Sequence, residues 1–211
     1  MLKVQVIIGS TRDGRNSDAV YRWLLPLAQS RSAFDIETLD LRDWPLPFFQ
    51  ETIATVGDFG DPSYSDPIVR RWNDKIGQAD AFIIVTPEYN RSVPAVLKNA
   101  IDSVFFSFRF RQKAVAFVGY SLGMTAGARA VEHLTQIMVE TEAVPVRTAT
   151  LIPLVTAAFD DTGSPRDRAL DVTANVMLDD LAWIGSALKV ARSAGQLAPA
   201  SLRIRAAYGR K

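Results

Sequence analysis

The chain alternates short apolar runs with segments of helical periodicity, and this alternation restricts the fold more than any other feature. Five runs have the composition of strands and occupy residues 3–8, 34–41, 81–86, 114–120 and 143–152. Apolar residues at helical spacing predict helices from about residue 17 and over 67–78, 94–104, 125–141 and 166–194. Strands separated by helices predict a parallel sheet with helices on both faces.

Two of these runs have the pattern of central strands. Residues 81–86 and 114–120 are apolar without alternation, as expected for strands buried on both faces, whereas 34–41 alternates. We therefore predict an α/β fold with a flavodoxin-like, doubly wound five-stranded parallel sheet in the order 2-1-3-4-5. In such a sheet ligands bind outside the carboxyl ends of the strands, where the strand order reverses. The loops after strands 1, 3 and 4 are therefore the candidate site.

Length and composition limit the class of protein. The 211 residues suit about one domain, predicted over 1–194 and followed by a mildly basic tail at 195–211. A net charge of +1 gives no reason to expect a nucleic-acid or membrane partner. The absence of cysteine excludes disulfides, thiolate zinc sites and cysteine nucleophiles. Without a signal-peptide pattern or a run of ~18 apolar residues, we expect a cytoplasmic soluble protein.

Three local predictions concern element ends and loops. Residues 44–67 are rich in Pro, Gly and Asp and predict a long loop of the kind that covers a site or a partner. Pro26 is expected to kink or shorten the first helix. Asp66 is predicted to cap the helix that begins at Pro67.

The loop "GSTRDGRNSD" at 9–18 has the composition of an anion site. It places hydroxyls, two arginines and free N–H groups before a helix N-terminus, which favours an anion. Arg12 or Arg15 would add charge-assisted contacts to a phosphate. Its spacing matches neither a dinucleotide fingerprint nor a P-loop, and suits one terminal monophosphate. The alternative is a polar loop with an ordinary N-cap at Asn16 or Ser17.

The segment "PEYN" at 87–90 follows a central strand and begins with a proline, while Pro94 starts the next helix. Backbone N–H groups there would face a flat ring with heteroatoms at its edge, and Tyr89 would stack against it. A segment held rigid at both ends suits a binding platform. The alternative is a capped turn in which Tyr89 is merely half buried.

The third loop, "GYSLG" at 119–123, matches the nucleophile elbow of α/β-hydrolases. The only histidine, His133, lies more than ~10 Å along the following helix, so it cannot serve Ser121 as a base. We interpret Ser121 and Gly123 as ligand contacts, and His133 as a surface or interface residue. The tripeptide "DTG" at 161–163 is interpreted as a turn, and the aspartates between 40 and 66 have no spacing that predicts a metal.

Four segments resemble the NADPH-dependent FMN reductase family, a flavodoxin-like group that also contains chromate, quinone and azo-dye reductases. They are "IIGSTRDGRNSD", "DLRDWPLPFF", "TPEYNRSVPAVLKNAID" and "GYSLGMTAGARAVEHLTQIM", and the resemblance covers most of the chain. The resemblance implies that the FMN phosphate is held by Ser10, Arg12, Asn16 and Ser17. It further implies that the flavin ring is lined by Pro87, Glu88, Tyr89 and Asn90, with Ser121 and Gly123 at its other edge.

The resemblance also implies an activity. Hydride would pass from NADPH or NADH to FMN, and electrons on to a flavin, a quinone or another small acceptor, without a catalytic side chain or a metal. It implies a homodimer or a tetramer, for which the helix at 125–141 and the aromatic run at 105–110 are interface candidates. The alternative is an FMN-binding electron carrier without NAD(P)H turnover, although such carriers tend to be acidic.

Two positions depart from the family pattern. The phosphate loop continues with "RNSD", so Asp18 is not expected to contact phosphate. The run "FFSFRFRQK" at 105–113 is unusually rich in arginine and could alter what approaches the flavin.

Overall fold

The computed structural model describes residues 1–58 and 61–209, and a parallel sheet forms its centre. Its strands are β1 (Leu2–Ile8), β2 (Phe34–Asp40), β3 (Ala81–Pro87), β4 (Ala114–Tyr120), β5 (Val144–Pro145) and β6 (Thr150–Ile152). The order is β2-β1-β3-β4-β5, with β6 also paired to β4, and every pairing is parallel. The predicted flavodoxin-like order 2-1-3-4-5 is confirmed.

Helices cover both faces of this sheet. They are α1 (Ser17–Gln29), α2 (Ile53–Val56), α3 (Pro67–Gly77), α4 (Ala95–Asp102), α5 (Ala128–Glu140), α6 (Ala169–Ala194) and α7 (Ala200–Tyr208). Side chains of α1 and α6 form one core with the sheet, and those of α3, α4 and α5 form a second core on the opposite face. All seven residues of β3 and of β4 are buried, as their unbroken apolar sequence predicts.

The predicted fifth strand, 143–152, is broken into β5 and β6. Val144 lies opposite Ala114 and Thr150 lies opposite Val118, so the register slips by two residues between the pairs. The Val146 N–H still donates to the Val115 carbonyl at 2.9 Å, and the chain then leaves β4 until pairing resumes at Thr150. A continuous strand over this whole run was therefore a wrong prediction.

Several helix ends differ from the periodicity, since α6 begins at Ala169 and not at 166, and α4 ends at Asp102 and not at 104. Helix α1 continues to Gln29, so Pro26 lies inside it and does not end it. Helix α5 begins at Ala128 instead of 125, because Ala126 and Gly127 have left-handed backbone conformations. The predicted cap of α3 is confirmed, since the Asp66 carboxylate accepts a hydrogen bond from the Ile68 N–H at 2.8 Å.

The predicted loop 44–67 is ordered around a short helix. Thr52 and Thr55 form a reciprocal capping box at the start of α2, and Val56 and Tyr64 are buried. Residues 59 and 60 of this loop lie outside the described residues. Within the predicted tail 195–211, helix α7 is largely exposed to solvent, and residues 210 and 211 lie outside the described range. The division of the chain at residue 194 stays a prediction.

Gly127 marks the tightest approach between β4 and the loop that follows it. Its φ is +84°, and a Cβ placed there would lie 2.4 Å from the Tyr120 backbone nitrogen. Both the left-handed backbone and this contact with main chain require glycine. Gly123 in the same loop has open space around its Cβ position and is not in the left-handed region.

We expect Gly127→Ala to lower the free energy of unfolding by roughly 2–5 kcal/mol, since backbone strain and a steric clash add. The matched control Gly123→Ala should change it by less than about 0.5 kcal/mol. Urea unfolding of the ligand-free proteins, followed by circular dichroism, measures both. Equal stability of the two variants would contradict the role given to Gly127.

Candidate functional site

The loops that follow β1, β3 and β4 meet at one edge of the sheet and enclose a cavity of about 460 Å³. They meet because Ile8 pairs with Val85, and Pro87 with Tyr120, so that the three strands end together. Ligand pockets in proteins have volumes of roughly 300–1,000 Å³. The wall consists of Arg12, Gly14, Arg15, Asn16, Pro87, Glu88, Tyr89, Asn90, Arg91, Tyr120, Ser121, Leu122, Gly123, Thr125, Arg129 and Val155.

Eight of the ten predicted site residues line this cavity, and two do not. Ser10 and Ser17 are fully buried behind the wall. The Ser10 hydroxyl lies 2.9 Å from the Tyr89 hydroxyl, so Ser10 supports an aromatic residue of the wall. The Ser17 hydroxyl, in the first residue of α1, lies beside the Tyr120 phenol behind the wall.

The start of α1 is open toward the cavity. Asn16 occupies the N-cap position, but its side chain accepts no capping hydrogen bond from the helix. Asn16 therefore does not form the ordinary side-chain cap that was the alternative for this loop. The first N–H groups of a helix without such a cap favour an anion.

Arg15 holds the loop after β1 against the end of β2. Its guanidinium donates to Asp18 at 2.7 Å, to Asp40 at 2.6 Å and to the Ser10 carbonyl at 2.5 Å, and its side chain is only 4% exposed. Hydrogen bonding to Asp40 raises the pKa of Arg15, against the effect of burial. Burial works to raise the pKa of Asp40, but hydrogen bonds from Arg15 and the Arg42 backbone outweigh it, so the pKa lies below its ordinary value.

Arg12 is the other basic residue of this loop, and its charge is not neutralised within the described part of the chain. Its guanidinium carbon lies 5.6 Å from the centre of the Tyr89 ring, within the range of a cation–π contact. The Arg12 backbone carbonyl accepts a hydrogen bond from the Arg42 side chain, which holds this loop in place. Arg12 is exposed and is therefore available to a ligand.

The segment after β3 forms a tight hairpin. The Tyr89 N–H donates to the Ser92 carbonyl at 2.8 Å, and the Ser92 N–H donates back to the Tyr89 carbonyl at 3.0 Å. Asn90 and Arg91 between them have φ values of +49° and +69°, as in the type I′ turns of hairpins. Asn tolerates this conformation, whereas a long side chain there costs roughly 1–2 kcal/mol. Strain of this kind concentrates at functional sites.

Helix α5 anchors this hairpin at two points. The Glu88 carboxylate, 4% exposed, accepts hydrogen bonds from Arg129, whose Nε lies 2.6 Å from Oε1. The second carboxylate oxygen, Oε2, is buried without a partner in the described structure. One turn further along α5, the His133 Nδ1 lies 2.9 Å from the Ser92 hydroxyl. Glu88 is therefore bonded to Arg129 of the chain itself. No spacing in the sequence predicted this pair.

Ser121 is placed as a wall residue and not as a nucleophile. Its hydroxyl donates to the Gly123 carbonyl at 2.9 Å, while His133, the only histidine, is bonded to Ser92. Burial raises the pKa of the neighbouring Tyr120 to about 12, so this phenol stays neutral. Over residues 1–58 and 61–209, no three His, Cys, Asp or Glu residues are grouped so as to hold a metal ion.

In the described part of the chain, no helix combines the length and the apolar character needed to cross a bilayer.

The proline-rich segment at 44–49 lies against α4 instead of the cavity wall. The Asn99 side chain donates to the Pro47 carbonyl and accepts from the Phe49 N–H. Two rings of the aromatic run, Phe106 and Phe110, are buried in the chain's own cores.

Comparison with known sequences identifies the family. The profile of a family described as NADPH-dependent FMN reductase matches residues 2–156. An NAD(P)H-dependent FMN reductase of Pseudomonas aeruginosa is 32% identical over 183 residues, which cover 84% of this chain and 89% of that protein. A quinone reductase of Escherichia coli is 34% identical over 141 residues, or 65% of this chain and 70% of that protein. The chain spans 58% of a similar Schizosaccharomyces pombe reductase.

Solved structures share the fold. FerB, a flavoenzyme NAD(P)H:(acceptor) oxidoreductase from Paracoccus denitrificans, superposes with a TM-score of 0.69 at 24% identity, over 88% of this chain and 98% of that chain. RosB, solved with a bound 8-demethyl-8-formylriboflavin-5′-phosphate intermediate, superposes with a TM-score of 0.74 at 11% identity, over 100% and 88% of the two chains. With a family profile over most of its length and these relatives, the chain belongs to the NADPH-dependent FMN reductase family.

Proposed function

We propose that the cavity at the carboxyl edge of the sheet holds FMN, on which this NAD(P)H-dependent oxidoreductase carries out its reaction. One observation carries the proposal: the loops after β1, β3 and β4 enclose a single cavity that combines an open helix start, an unpaired arginine and a tyrosine ring. When bound by the residues of these three loops, FMN would supply the hydride chemistry between NAD(P)H and a second small molecule. Among the relatives are FMN and quinone reductases, and we propose a flavin or a quinone as that acceptor.

The phosphate end fits the loop after β1. Arg12 would supply the charge that neutralises the monoester, and the N–H groups at the start of α1 would donate to its oxygens. Ser17 is the first residue of the same helix, but its side chain is fully buried behind the wall, so we assign to the phosphate its backbone N–H and not its hydroxyl. Asn16 lines the cavity beside them. Ser10 would act indirectly, by holding Tyr89 through the bond between their hydroxyls.

The ring end fits the hairpin and the loop after β4. Tyr89 offers an aromatic face, while Pro87, Asn90, Ser121 and Gly123 supply backbone and small polar groups around it. The buried Oε2 of Glu88 is an acceptor without a donor, and the flavin ring carries an N–H at its edge that could provide one. The chain's residues bind and orient, and none of them is assigned the transfer of a proton.

We also propose that the protein is a cytoplasmic homodimer that joins through α5. A groove of about 360 Å³ between α4 and α5 is lined by Ile101, Ile137 and neighbouring residues, and Val139 on α5 is 57% exposed. The burial of Phe106 and Phe110 leaves those two rings out of this interface.

The dimer is tested by sedimentation equilibrium, which should give twice the chain mass. Val139→Glu should shift the mass toward that of the monomer, because the charge would be buried at the interface. Val139 does not line the groove, so an unchanged mass for Val139→Glu would exclude its side of α5 from the interface.

The function is tested by mixing the purified protein with FMN and then, without oxygen, with NADPH. We expect FMN fluorescence to be quenched on binding, and the visible absorbance of the bound flavin to be lost after NADPH is added. A subsequent addition of a benzoquinone should restore that absorbance. Bound flavin that NADPH fails to bleach would favour the electron-carrier alternative, and protein that binds no flavin would refute the site.

The phosphate assignment is tested by comparing FMN with riboflavin, which lacks the phosphate. We expect Arg12→Ala to weaken FMN binding about tenfold or more, since one charge-assisted contact is lost. Riboflavin affinity should change little, and Arg12→Lys should retain part of the FMN affinity because it keeps the charge. Titrations that follow flavin fluorescence give both constants. An equal loss for the two ligands would place Arg12 at the ring instead of at the phosphate.

A further inference from the structure

The charges of the chain are divided unevenly between residues 1–194 and the C-terminal segment, residues 195–211. The C-terminal segment contains four basic residues, Arg203, Arg205, Arg210 and Lys211, and no acidic one. The whole chain has 24 basic and 23 acidic residues, so residues 1–194 keep 20 and 23, a net charge of −3 against +4 for the segment. The overall charge of +1 therefore hides a basic segment attached to an acidic domain.

Within the described residues, the hydrogen bonds that attach helix α7 to the rest of the chain lie at its beginning. The Glu142 carboxylate accepts from the Ala200 N–H at 2.6 Å. Just before the helix, the Leu197 carbonyl accepts hydrogen bonds from the side chains of Arg111 and Gln112. None of the nine residues of α7 is buried. So short a helix is marginal in water without packing, which indicates that α7 lies against a partner surface.

The outer side of α7 combines apolar and basic side chains. Ile204 and Tyr208, four residues apart and so on one side of the helix, are 55% and 77% exposed. Arg203 and Arg205 lie on either side of Ile204, are exposed, and form no ion pair within residues 1–58 and 61–209. Leu202, on the side opposite Ile204, is half-buried, so that side faces the chain. The exposed side thus presents an apolar centre between two unpaired positive charges.

We propose that α7 binds the surface of a membrane that contains anionic phospholipids. The basic residues of the C-terminal segment would lie against the lipid phosphates. Ile204 and Tyr208 would enter the boundary between head groups and acyl chains, where tyrosine is favoured. The same surface would repel the negative charge of residues 1–194, so the segment would approach it first. The apolar pair favours a bilayer over a nucleic acid, whose phosphates would engage the arginines alone.

The test measures co-sedimentation of the full chain with vesicles of phosphatidylcholine, alone or mixed with an equal part of phosphatidylglycerol. We expect at least about tenfold tighter binding to the anionic vesicles, and weaker binding as sodium chloride is added, because basic residues attract the charged surface. Arg203→Glu/Arg205→Glu should abolish this binding. The matched control, Arg166→Glu/Arg168→Glu, changes two exposed arginines near the start of α6 with the same spacing and the same change of charge, and should keep it.

A second variant tests the apolar contact. Ile204→Ser should weaken binding to the anionic vesicles about threefold or more, while the dependence on salt stays the same. Circular dichroism should show that each variant is folded.

Three results would overturn the proposal. Wild-type protein that does not pellet with the anionic vesicles would refute it directly. An equal loss in the two double-arginine variants would assign the binding to net charge and not to α7. Binding to a short DNA duplex as tight as that to the vesicles would make a nucleic acid the partner instead. These measurements need no flavin, and reduction of bound FMN by NADPH should be unchanged in Arg203→Glu/Arg205→Glu, so a failure here leaves the proposed function standing.

Discussion

The ion pair between Arg15 and Asp40 is the interaction on which the cavity depends. It joins the loop after β1 to the carboxyl end of β2, and Arg15 also holds the Ser10 carbonyl, so the loop keeps its shape before any ligand arrives. A nearly buried guanidinium without its carboxylate would be an uncompensated charge, which is strongly unfavourable. Because the Arg15 guanidinium is paired with Asp40, Arg12 is the residue of this loop whose positive charge can bind a ligand.

The same division of roles recurs on the other side of the cavity. Glu88 fixes Arg129, which ties the hairpin to α5, while Arg91 at the tip of the hairpin has no partner within the described residues. On each side of the cavity, one arginine is thus paired with a carboxylate of the chain, and another has no ion-pair partner in the described residues. Because the backbone of both loops is held before a ligand arrives, binding requires little ordering of the main chain.

The sequence predicted the scaffold and the place of the site better than the contacts within it. Unbroken apolar runs identified β3 and β4, and the strand order located the three loops, because both follow from local pattern and topology. The pairing of Glu88 with Arg129 joins residues 41 apart and depends on how α5 packs, which periodicity does not contain. For the same reason, the burial of Ser10 and Ser17 behind the wall was not predicted. Nothing in "PEYNRS" indicates that Arg91, and not a glycine, takes the left-handed position.

Several residues with strained backbone conformations lie where the buried strands end at the cavity. β3 and β4 are buried along their whole length, whereas Asn90, Arg91, Ala126 and Leu154, all with positive φ, lie just beyond the strand ends around the cavity. Such conformations persist only where the surroundings over-determine them. Here the buried ladder and the ion pairs supply that constraint. The core and the ion pairs therefore hold the backbone of these loops in place, and the bond between the Ser10 and Tyr89 hydroxyls holds the aromatic ring, while the Arg12 and Arg91 side chains extend from this frame exposed.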